Sequence, residues 1–384
     1  MERKNSQLGT WIQQPNGYQA FVPAPFPASV RQQWSTETMA LHSRALQLVG
    51  KLDGITKLLP DRNLFLEMFV RKDAASSSQI EGTKATLNDA VEAMNIEPRK
   101  NLPTDVDDIL HYIKALNYGL ERTTQLPLSL RFLCETHQVL MSGARTTQFA
   151  DPGAFRRSQN WIGGIRPDSA LFVPPPVPEM HRCLHDWELY LHDPDDGLPL
   201  IKAGILHAQL ETIHPFLDGN GRTGRLMVTF YLWQQGLMEM PVLYLSSYFR
   251  QWQSQYYEGL NNYHQGEVAT WINFFLEATA QTALSAIETC EKIVALRERD
   301  RDKIQSLGKT AATTLTLVIK NLYRLPTVGI ADIVAWTNYS KQGAYNLIEK
   351  LQTLGILYPL DATSEDAYGR KYYYRDYLEI FNQE

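Results

Sequence analysis

At 384 residues, the chain is long enough for two or three domains. Its 44% hydrophobic and 21% charged residues are typical of a soluble globular protein. A net charge of −5 gives no electrostatic reason to expect binding to nucleic acid or to an anionic membrane. Cys134, Cys183 and Cys290 are too widely spaced to indicate a disulfide framework or a zinc site. Without a long apolar run or an apolar leader, we expect a cytoplasmic protein that does not enter membranes.

The first 33 residues contain four prolines, so we expect an irregular segment lying extended over the folded body. From Trp34 the pattern becomes helical, with Ser35 as a plausible N-cap. Apolar periodicity predicts further helices in the following segments: Leu58–Val70, Leu87–Met94, Asp105–Leu120, Leu128–Met141, Ile201–Ile213, Leu226–Gln234 and Trp271–Leu296. Cys134 and His137 fall within one of these helices, where core packing is the expected role of both.

The segment Ala75–Thr83 reads as a polar helix end, with Gly82 as its C-cap. Ser77 and Glu81 stand four residues apart, so both side chains lie on one helical face.

Helical periodicity stops between Asp151 and Pro178. Asn160–Ile162 and Ala170–Val173 are predicted to form two short strands around a turn at Arg166–Asp168. By itself, such a hairpin is an ordinary surface feature.

The stretch His214–Arg225 combines a proton acceptor, a carboxylate, two arginines and three glycines within twelve residues. Pro215 disfavours a helical His214, so the preceding helix should end there. Gly219 and Gly221 let the backbone approach a ligand, and a second helix starts near Asn220 with free N–H groups that suit an anion. Arg222 and Arg225 are three apart on that helix, so both can point the same way.

The remaining side chains of this stretch suit phosphate chemistry. Asp218 supplies the carboxylate oxygen that Mg²⁺ prefers when it bridges phosphates. His214 can accept a proton at neutral pH. The stretch formally fits G-x-G-x-x-G, but the preceding residues are helical where a dinucleotide fold needs a strand. It also lacks the Gly-Lys-Ser/Thr ending of a P-loop.

Position for position, the stretch resembles the signature of the Fic-domain (Fido) family, His-Pro-Phe-x-Asp-Gly-Asn-Gly-Arg-x-x-Arg. The resemblance implies a protein adenylyltransferase that moves AMP from ATP to a Tyr, Thr or Ser hydroxyl, either of a separate target protein or of the chain itself. It implies His214 as the base, Asp218 as the Mg²⁺ ligand, and an ATP site at Gly219, Asn220, Gly221, Arg222 and Arg225.

Three other segments are similar to family elements. Ser77-x-x-x-Glu81-Gly82 matches the inhibitory motif, whose glutamate pairs with the last signature arginine, here Arg225. Residues 157–164 resemble the flap, a β-hairpin that aligns the target, which implies contacts at Ile162, Gly163 and Gly164. Tyr256-Tyr257 resembles a Tyr-Tyr pair whose second tyrosine contacts adenine. His264 stands where an asparagine often provides the second contact to the base.

Beyond the charge run 297–303, which we expect to be solvated, three helices and a two-stranded ribbon resemble a winged helix-turn-helix. The helices are predicted at Thr314–Tyr323, Ile330–Trp336 and Lys341–Leu354, and the ribbon turns at Tyr368-Gly369. Residues 305–384 carry eight basic and eight acidic side chains, so docking of a protein or dimerisation is at least as well supported as DNA binding.

The predicted fold is therefore mainly α. It comprises a helical N-terminal region with the inhibitory helix (1–104), a Fic catalytic domain with a β-hairpin flap (105–300) and a C-terminal winged helix (305–384). Three alternatives stay open for its function. Transfer of a different phosphate-containing group is the least supported, because relatives with other chemistry tend to depart from Gly221 in the signature. The enzyme could remove AMP, with Glu81 aligning a water molecule, or the chain could be an ATP-responsive DNA-binding regulator.

Overall fold

The computed structural model describes residues 4–57, 59, 62–98, 101–143, 151–194, 198–360 and 370–382, without the side chains of 62–64 and 309–311. Within these residues the protein is mainly helical. The helices are α1 Thr36–Thr56, α2 Arg62–Ile80, α3 Leu87–Glu92, α4 Val106–Arg122, α5 Leu130–Met141, α6 Val177–Leu191, α7 Pro199–Ile213, α8 Asn220–Gln234, α9 Ser246–Gln251, α10 Gln253–His264, α11 Val268–Gln305, α12 Lys309–Leu322, α13 Ile330–Thr337, α14 Lys341–Thr353 and α15 Arg375–Asn382. No helix of the described part is both long enough and apolar enough to cross a membrane.

The N-terminal segment is more ordered than its prolines predicted. Strands β1 (Gly9–Gln13) and β2 (Gln19–Pro23) form an antiparallel hairpin that pairs Gly9 with Pro23. The sequence analysis missed this hairpin because the prolines that suggested irregular chain lie at or beyond the strand ends, where they cost no ladder hydrogen bond. As expected, the segment lies against the folded body: the Phe21 ring is buried, and its N–H donates to the carbonyl of Val173 at 2.9 Å.

Helices α7 and α8 form the centre of the molecule. Every residue of α7 from Leu200 to Ile213 is buried, and α8 is buried along most of its length. A helix apolar on all faces belongs inside a protein, and polar residues within such a pair need partners or a function. Helices α4, α5, α10 and α11 pack around the pair.

Helix α2 connects two parts of the protein. At one end Phe65 packs on Tyr323 and Phe69 packs on Phe381, with ring centroids 4.9 and 5.4 Å apart. At the other end the helix reaches α8 through Ser77. The prediction for this region placed a helix over Leu58–Val70. Leu58 lies outside the described residues, and the helix continues ten residues farther, to Ile80.

The C-terminal part contains the three predicted helices as α12, α13 and α14. Its sheet has three strands where two were predicted: β3 (Thr327–Val328), β4 (Tyr358–Pro359) and β5 (Tyr372–Tyr373), in the antiparallel order β3-β5-β4. The additional strand is only two residues long, too short to show alternation in the sequence. The predicted turn at Tyr368-Gly369 lies outside the described residues.

The charge run 297–303 is part of α11 and is not uniformly solvated. Asp300 is fully buried, where it pairs with Arg299 at 2.9 Å and accepts a hydrogen bond from the Tyr374 hydroxyl. The expectation of a solvated run was wrong at this position because a distant tyrosine and a neighbouring arginine satisfy the carboxylate. The boundaries at 104/105 and 300/305 remain predictions.

Gly119 permits the close approach of α4 to α8. A Cβ at this position would lie 2.1 Å from Cζ of Phe230. We expect Gly119→Ala to lower the free energy of unfolding by about 1–3 kcal/mol, since the ring has to move within a packed core. The matched control is Gly54→Ala on α1, where no atom lies within 4 Å of the added Cβ. It should stabilise the protein by about 0.5–1 kcal/mol, as expected when glycine leaves a helix interior. Urea denaturation measures both changes, and equal effects of the two variants would contradict the close contact.

Candidate active site

The loop between α7 and α8 has the form that its sequence predicted. Helix α7 ends at Ile213, and His214 adopts a left-handed conformation (φ 48°, ψ 60°). Helix α8 begins at Asn220, preceded by Gly219, which is also left-handed (φ 76°). The predictions of a helix end at His214 and of a helix start near Asn220 are thus confirmed. The open N–H groups at the start of α8 face the loop that carries His214 and Asp218.

Side-chain amides hold this loop in shape. The Asn220 amide accepts a hydrogen bond from the Phe216 N–H and donates one to the Phe216 carbonyl, both at 2.8 Å. Asn160 donates to the carbonyls of Phe216 and His214 at 2.8 and 3.1 Å. The side chain of Asn220 therefore shapes the turn, which leaves its backbone N–H as the group that can meet a phosphate.

Arg156 is a second support of this loop. Its guanidinium is buried and donates to the carbonyls of His214 and Ser158 at 3.0 and 3.1 Å, and also to that of Pro175. A buried arginine is tolerated when its N–H groups are bonded. Its position just upstream of the predicted hairpin was the available signal, but nothing in the sequence showed which carbonyls it would reach.

His214 is built to be a neutral imidazole. Burial lowers the pKa of His214 to about 4, and its Nδ1 lies 3.3 Å from the Glu211 carbonyl. Because a carbonyl only accepts, Nδ1 carries the proton, and Nε2 keeps the lone pair that can take a proton from a substrate.

Glu211, three residues before His214, was also missed. Its carboxyl is buried with Oε2 3.9 Å from Nδ1 of His214, and burial raises its pKa to about 7. An acidic residue on the same face of α7 as the histidine was the signal available in the sequence.

Arg225 lies buried in the second turn of α8 and contacts the segment that was predicted to be inhibitory. Its Nε donates to the Ser77 hydroxyl at 2.9 Å, and Nη2 donates to the Ser77 carbonyl at 2.9 Å and to Oε1 of Glu81 at 2.8 Å. Burial by itself would lower the pKa of Arg225, but the neighbouring carboxylates, Glu81 foremost, raise it above the usual value.

The Glu81 carboxylate lies over the first turn of α8. A Cβ on Gly221 would fall 2.3 Å from Oε1 of Glu81, so the glycine leaves the space that this carboxylate occupies. The Glu81 side chain remains 37% exposed. Gly82 follows with φ of +93°, the left-handed conformation of a helix C-cap.

Arg222 and Asp218 line the other side of the turn. Arg222 is buried, with its guanidinium 3.9 Å from Asp108 and from Asp218. Arg222 and Arg225 thus contact different carboxylates. The Asp218 carboxylate is 41% exposed and accepts a hydrogen bond from the Gly219 N–H at 2.6 Å.

The donor set fits a Mg²⁺ ion that arrives with a nucleotide. Among the residues that the structure describes, no cluster of three or more His, Cys, Asp or Glu side chains could hold a metal. Mg²⁺ commonly binds through one or two carboxylates together with substrate phosphates and water, which a single exposed Asp218 satisfies.

Tyr257 lies at the edge of the site, and His264 does not reach it. The Tyr257 side chain is partly exposed, and its hydroxyl lies 3.4 Å from the Ile80 carbonyl at the end of α2. His264 is buried beneath the N-terminal hairpin, stacked on Phe172 with centroids 4.0 Å apart, and its Nε2 lies 2.9 Å from the Thr212 hydroxyl.

The predicted hairpin at 160–173 is reduced to one bridge, between Ile162 and Phe172. The Ile162 N–H donates to the Phe172 carbonyl at 2.8 Å. Gly163 and Gly164 both have positive φ, so the chain turns away immediately after Ile162. The prediction of two strands was therefore wrong in extent. Val173 instead pairs with Phe21 of β2.

His137, expected to serve only in core packing, contacts the signature loop. Its ring stacks on Phe216 with centroids 3.7 Å apart, and its Nε2 lies 3.0 Å from the Asp218 carbonyl. Cys134, one turn earlier, packs against the hydrophobic core as expected, and burial raises its pKa to about 11.

Comparison with known proteins agrees with this arrangement. Residues 39–121 match the sequence model of the Fic/DOC family N-terminal region, and residues 127–232 match that of the Fic/DOC family. A crystal structure of a Fic family protein from Desulfovibrio desulfuricans G20 superposes with a TM-score of 0.57 at 18% identity, covering 89% of this chain and 97% of that one. Residues 39–121 and 127–232 of the chain are thus a Fic/DOC family N-terminal region and a Fic/DOC family domain.

Curated relatives are more similar in sequence over a shorter region. The protein adenylyltransferase Fic of Drosophila grimshawi is 30% identical over 175 residues, which cover 44% of this chain and 32% of the relative. That of Nematostella vectensis is 28% identical over 211 residues, covering 54% of this chain and 46% of the relative. The chain thus spans about a third to a half of the length of these relatives.

Buried histidines around the site make stability sensitive to acid. Burial lowers the pKa of His137 to about 4 and those of His207 and His264 to about 3. The unfolded chain, with a histidine pKa of about 6.5, then binds more protons than the folded chain below that pH. The stability is fully present above pH 6.5 and is lost as the pH falls.

As the pH falls from 6.5 to 5, each such histidine should lower the unfolding free energy by about 2 kcal/mol. Replacing the buried His264 removes one such contribution, whereas replacing the exposed His185 does not. The unfolding free energy lost between pH 7 and pH 5 should therefore be smaller by about 2 kcal/mol in His264→Asn than in His185→Asn. Urea titrations at the two pH values measure it. Equal losses in both variants would show that His264 is not held neutral by the fold.

Proposed function

We propose that the protein is an adenylyltransferase that moves AMP from ATP to a Tyr, Thr or Ser hydroxyl of a target protein. The carrying observation is the juxtaposition of a neutral His214, with Nε2 unprotonated, and the open N–H groups at the start of α8. The names of the curated relatives support the same reaction. The target can be a second protein or the chain itself.

In the proposed reaction His214 takes the proton from the target hydroxyl through Nε2. The hydroxyl oxygen forms a bond to the α-phosphorus, the bond from that phosphorus to the bridging oxygen breaks, and pyrophosphate leaves. The backbone N–H groups of Gly219–Arg222 and the Arg222 guanidinium stabilise the phosphate charge, the term that usually dominates such transfers.

The other ligand contacts follow from position. Asp218 would hold Mg²⁺, which neutralises phosphate charge when bound. Tyr257, partly exposed beside the end of α2, would contact the adenine. Ile162, Gly163 and Gly164 would align the target backbone. The single bridge there leaves residues 163 and 164 without ladder partners in the described structure.

Glu81 is proposed to inhibit the enzyme. Its carboxylate bonds the Arg225 guanidinium at 2.8 Å, where the γ-phosphate of ATP would otherwise bind. A preference of about 2.7 kcal/mol for the blocked arrangement would suppress activity roughly a hundredfold. A charge-assisted hydrogen bond from the buried guanidinium to Glu81, worth about 1.5–3 kcal/mol, supports a preference of that size.

Glu81→Gly should therefore raise AMP transfer by about tenfold to a hundredfold, because Arg225 becomes available to the phosphate. The assay follows label from α-labelled ATP into protein, with mass spectrometry to find the AMP adduct. The control is Glu81→Gly with His214→Ala, which should lose transfer. If Glu81→Gly with an intact His214 labels no protein, the proposed function is wrong.

The same variant distinguishes removal of AMP from its transfer. Because 37% of the Glu81 side chain is exposed, it could align a water molecule on an AMP-modified target. Loss of AMP hydrolysis in Glu81→Gly, without any gain of transfer, would favour an enzyme that removes AMP.

We further propose that α12–α14 with β3, β4 and β5 form a winged helix that docks a protein or a second copy of the chain. The order of three helices and an antiparallel sheet β3-β5-β4 supports this fold. The helix that would read DNA, α14, carries Lys341 and Lys350 together with Glu349, which is a weak basic face.

The full chain should therefore not retard duplex DNA at low micromolar concentration in about 150 mM salt. Electrophoretic mobility shifts with duplexes of varied sequence measure this. Sequence-selective retardation that weakens steeply with salt would instead favour the ATP-responsive regulator.

A further inference from the structure

His137 is a buried polar residue whose hydrogen bonds define its protonation. Its side chain lies on α5, and the ring is parallel to that of Phe216 within 4°. Nδ1 accepts a hydrogen bond from the Gly153 N–H at 2.9 Å, so this nitrogen is unprotonated. Nε2 then carries the proton and donates to the Asp218 carbonyl at 3.0 Å. The neutral ring thus has one acceptor and one donor, and each makes a hydrogen bond to the backbone.

The second bond determines how the Asp218–Gly219 peptide is oriented. In a trans peptide the C=O and the following N–H point in opposite directions. With its carbonyl directed at His137, the peptide directs the Gly219 N–H to the other side, where it bonds the Asp218 carboxylate at 2.6 Å. That side is the partly exposed mouth of the turn.

Because the peptide precedes a glycine, it could flip if no hydrogen bond held its carbonyl. Gly219 has φ of +76° and ψ of 8°, and glycine adopts positive and negative φ with similar ease. A flipped peptide would place a carbonyl oxygen beside the Asp218 carboxylate, where an incoming phosphate would meet negative charge. The fold therefore needs a donor on the buried side of this peptide.

We propose that His137 is a positioning residue that orients the Asp218–Gly219 peptide so that its N–H, and not its carbonyl, lies on the side of the Asp218 carboxylate where the phosphates of the nucleotide would bind. The inference rests on the proposed function, because it takes ATP as the ligand of this turn. His137 acts through the loop and does not touch the substrate. Adenosine, which lacks phosphates, gains nothing from this orientation.

The test uses the full-length chain with Glu81→Gly as parent, so that the phosphate site is open. His137→Phe keeps the ring stack on Phe216 but removes the donor, and His137→Gln retains an N–H donor at a similar reach. We expect ATP affinity in calorimetry to fall about tenfold in His137→Phe, as for the loss of one buried hydrogen bond, with adenosine affinity unchanged. His137→Gln should recover most of the ATP affinity.

Thr136→Val serves as the packing control, an isosteric change at a buried neighbouring position of α5. It should bind ATP as the parent does. Equal ATP affinity of parent and His137→Phe would overturn the proposal, and so would an equal loss of adenosine binding. If His137→Phe does not fold, His137→Gln is compared with His137→Asn, whose shorter side chain reaches Gly153 but not Asp218. Equal ATP binding by these two would also overturn it.

A separate measurement, AMP transfer by the Glu81→Gly parent, tests the proposed function. A Glu81→Gly parent that binds ATP but transfers no AMP would contradict the adenylyltransferase, while the comparison of its His137 variants would still decide the role of the peptide.

Discussion

A permanently charged guanidinium inside the helical core is the constraint on which the site depends. Arg225 is 4% exposed, and an unpaired buried charge costs several kcal/mol, so the fold has to provide it with acceptors. Ser77 and Glu81 at the end of α2 supply three. Any phosphate that takes the place of Glu81 must satisfy the same cation. In the proposed function, a nucleotide phosphate would therefore have to replace the Glu81 carboxylate at Arg225.

Helix α2 connects the Ser77 and Glu81 contacts of Arg225 with the C-terminal part of the protein. The end of the helix remote from Arg225 is packed between aromatic rings of the C-terminal part, at Tyr323 and Phe381, and Arg71 donates to Glu67 and to the Arg324 carbonyl. The helix that ends beside the Glu81–Arg225 pair is therefore also in direct contact with the C-terminal part.

The loop opposite Glu81 depends on buried polar residues whose bonds are made to backbone. Arg156 and Asn160 hold the carbonyls around His214, Asn220 holds both backbone groups of Phe216, and His137 holds the carbonyl of Asp218. Such bonds direct the remaining N–H groups and the imidazole lone pair toward the mouth of the site. Preorganised dipoles of this kind need no rearrangement when charge develops.

The sequence by itself determined the local features: the helix end at His214, the helix start at Asn220, the anion-binding turn and the mainly helical fold. These depend on neighbours within a few residues, through Pro215, the glycines and apolar periodicity. Only the tertiary structure decided which carbonyls Arg156 and His137 reach, that Asp300 is buried, that the first residues form a hairpin and that the predicted hairpin at 160–173 is a single bridge. Several of those depend on partners far along the chain, such as Asp218 for His137, Tyr374 for Asp300 and Val173 for Phe21, whose proximity arises from packing that periodicity does not encode.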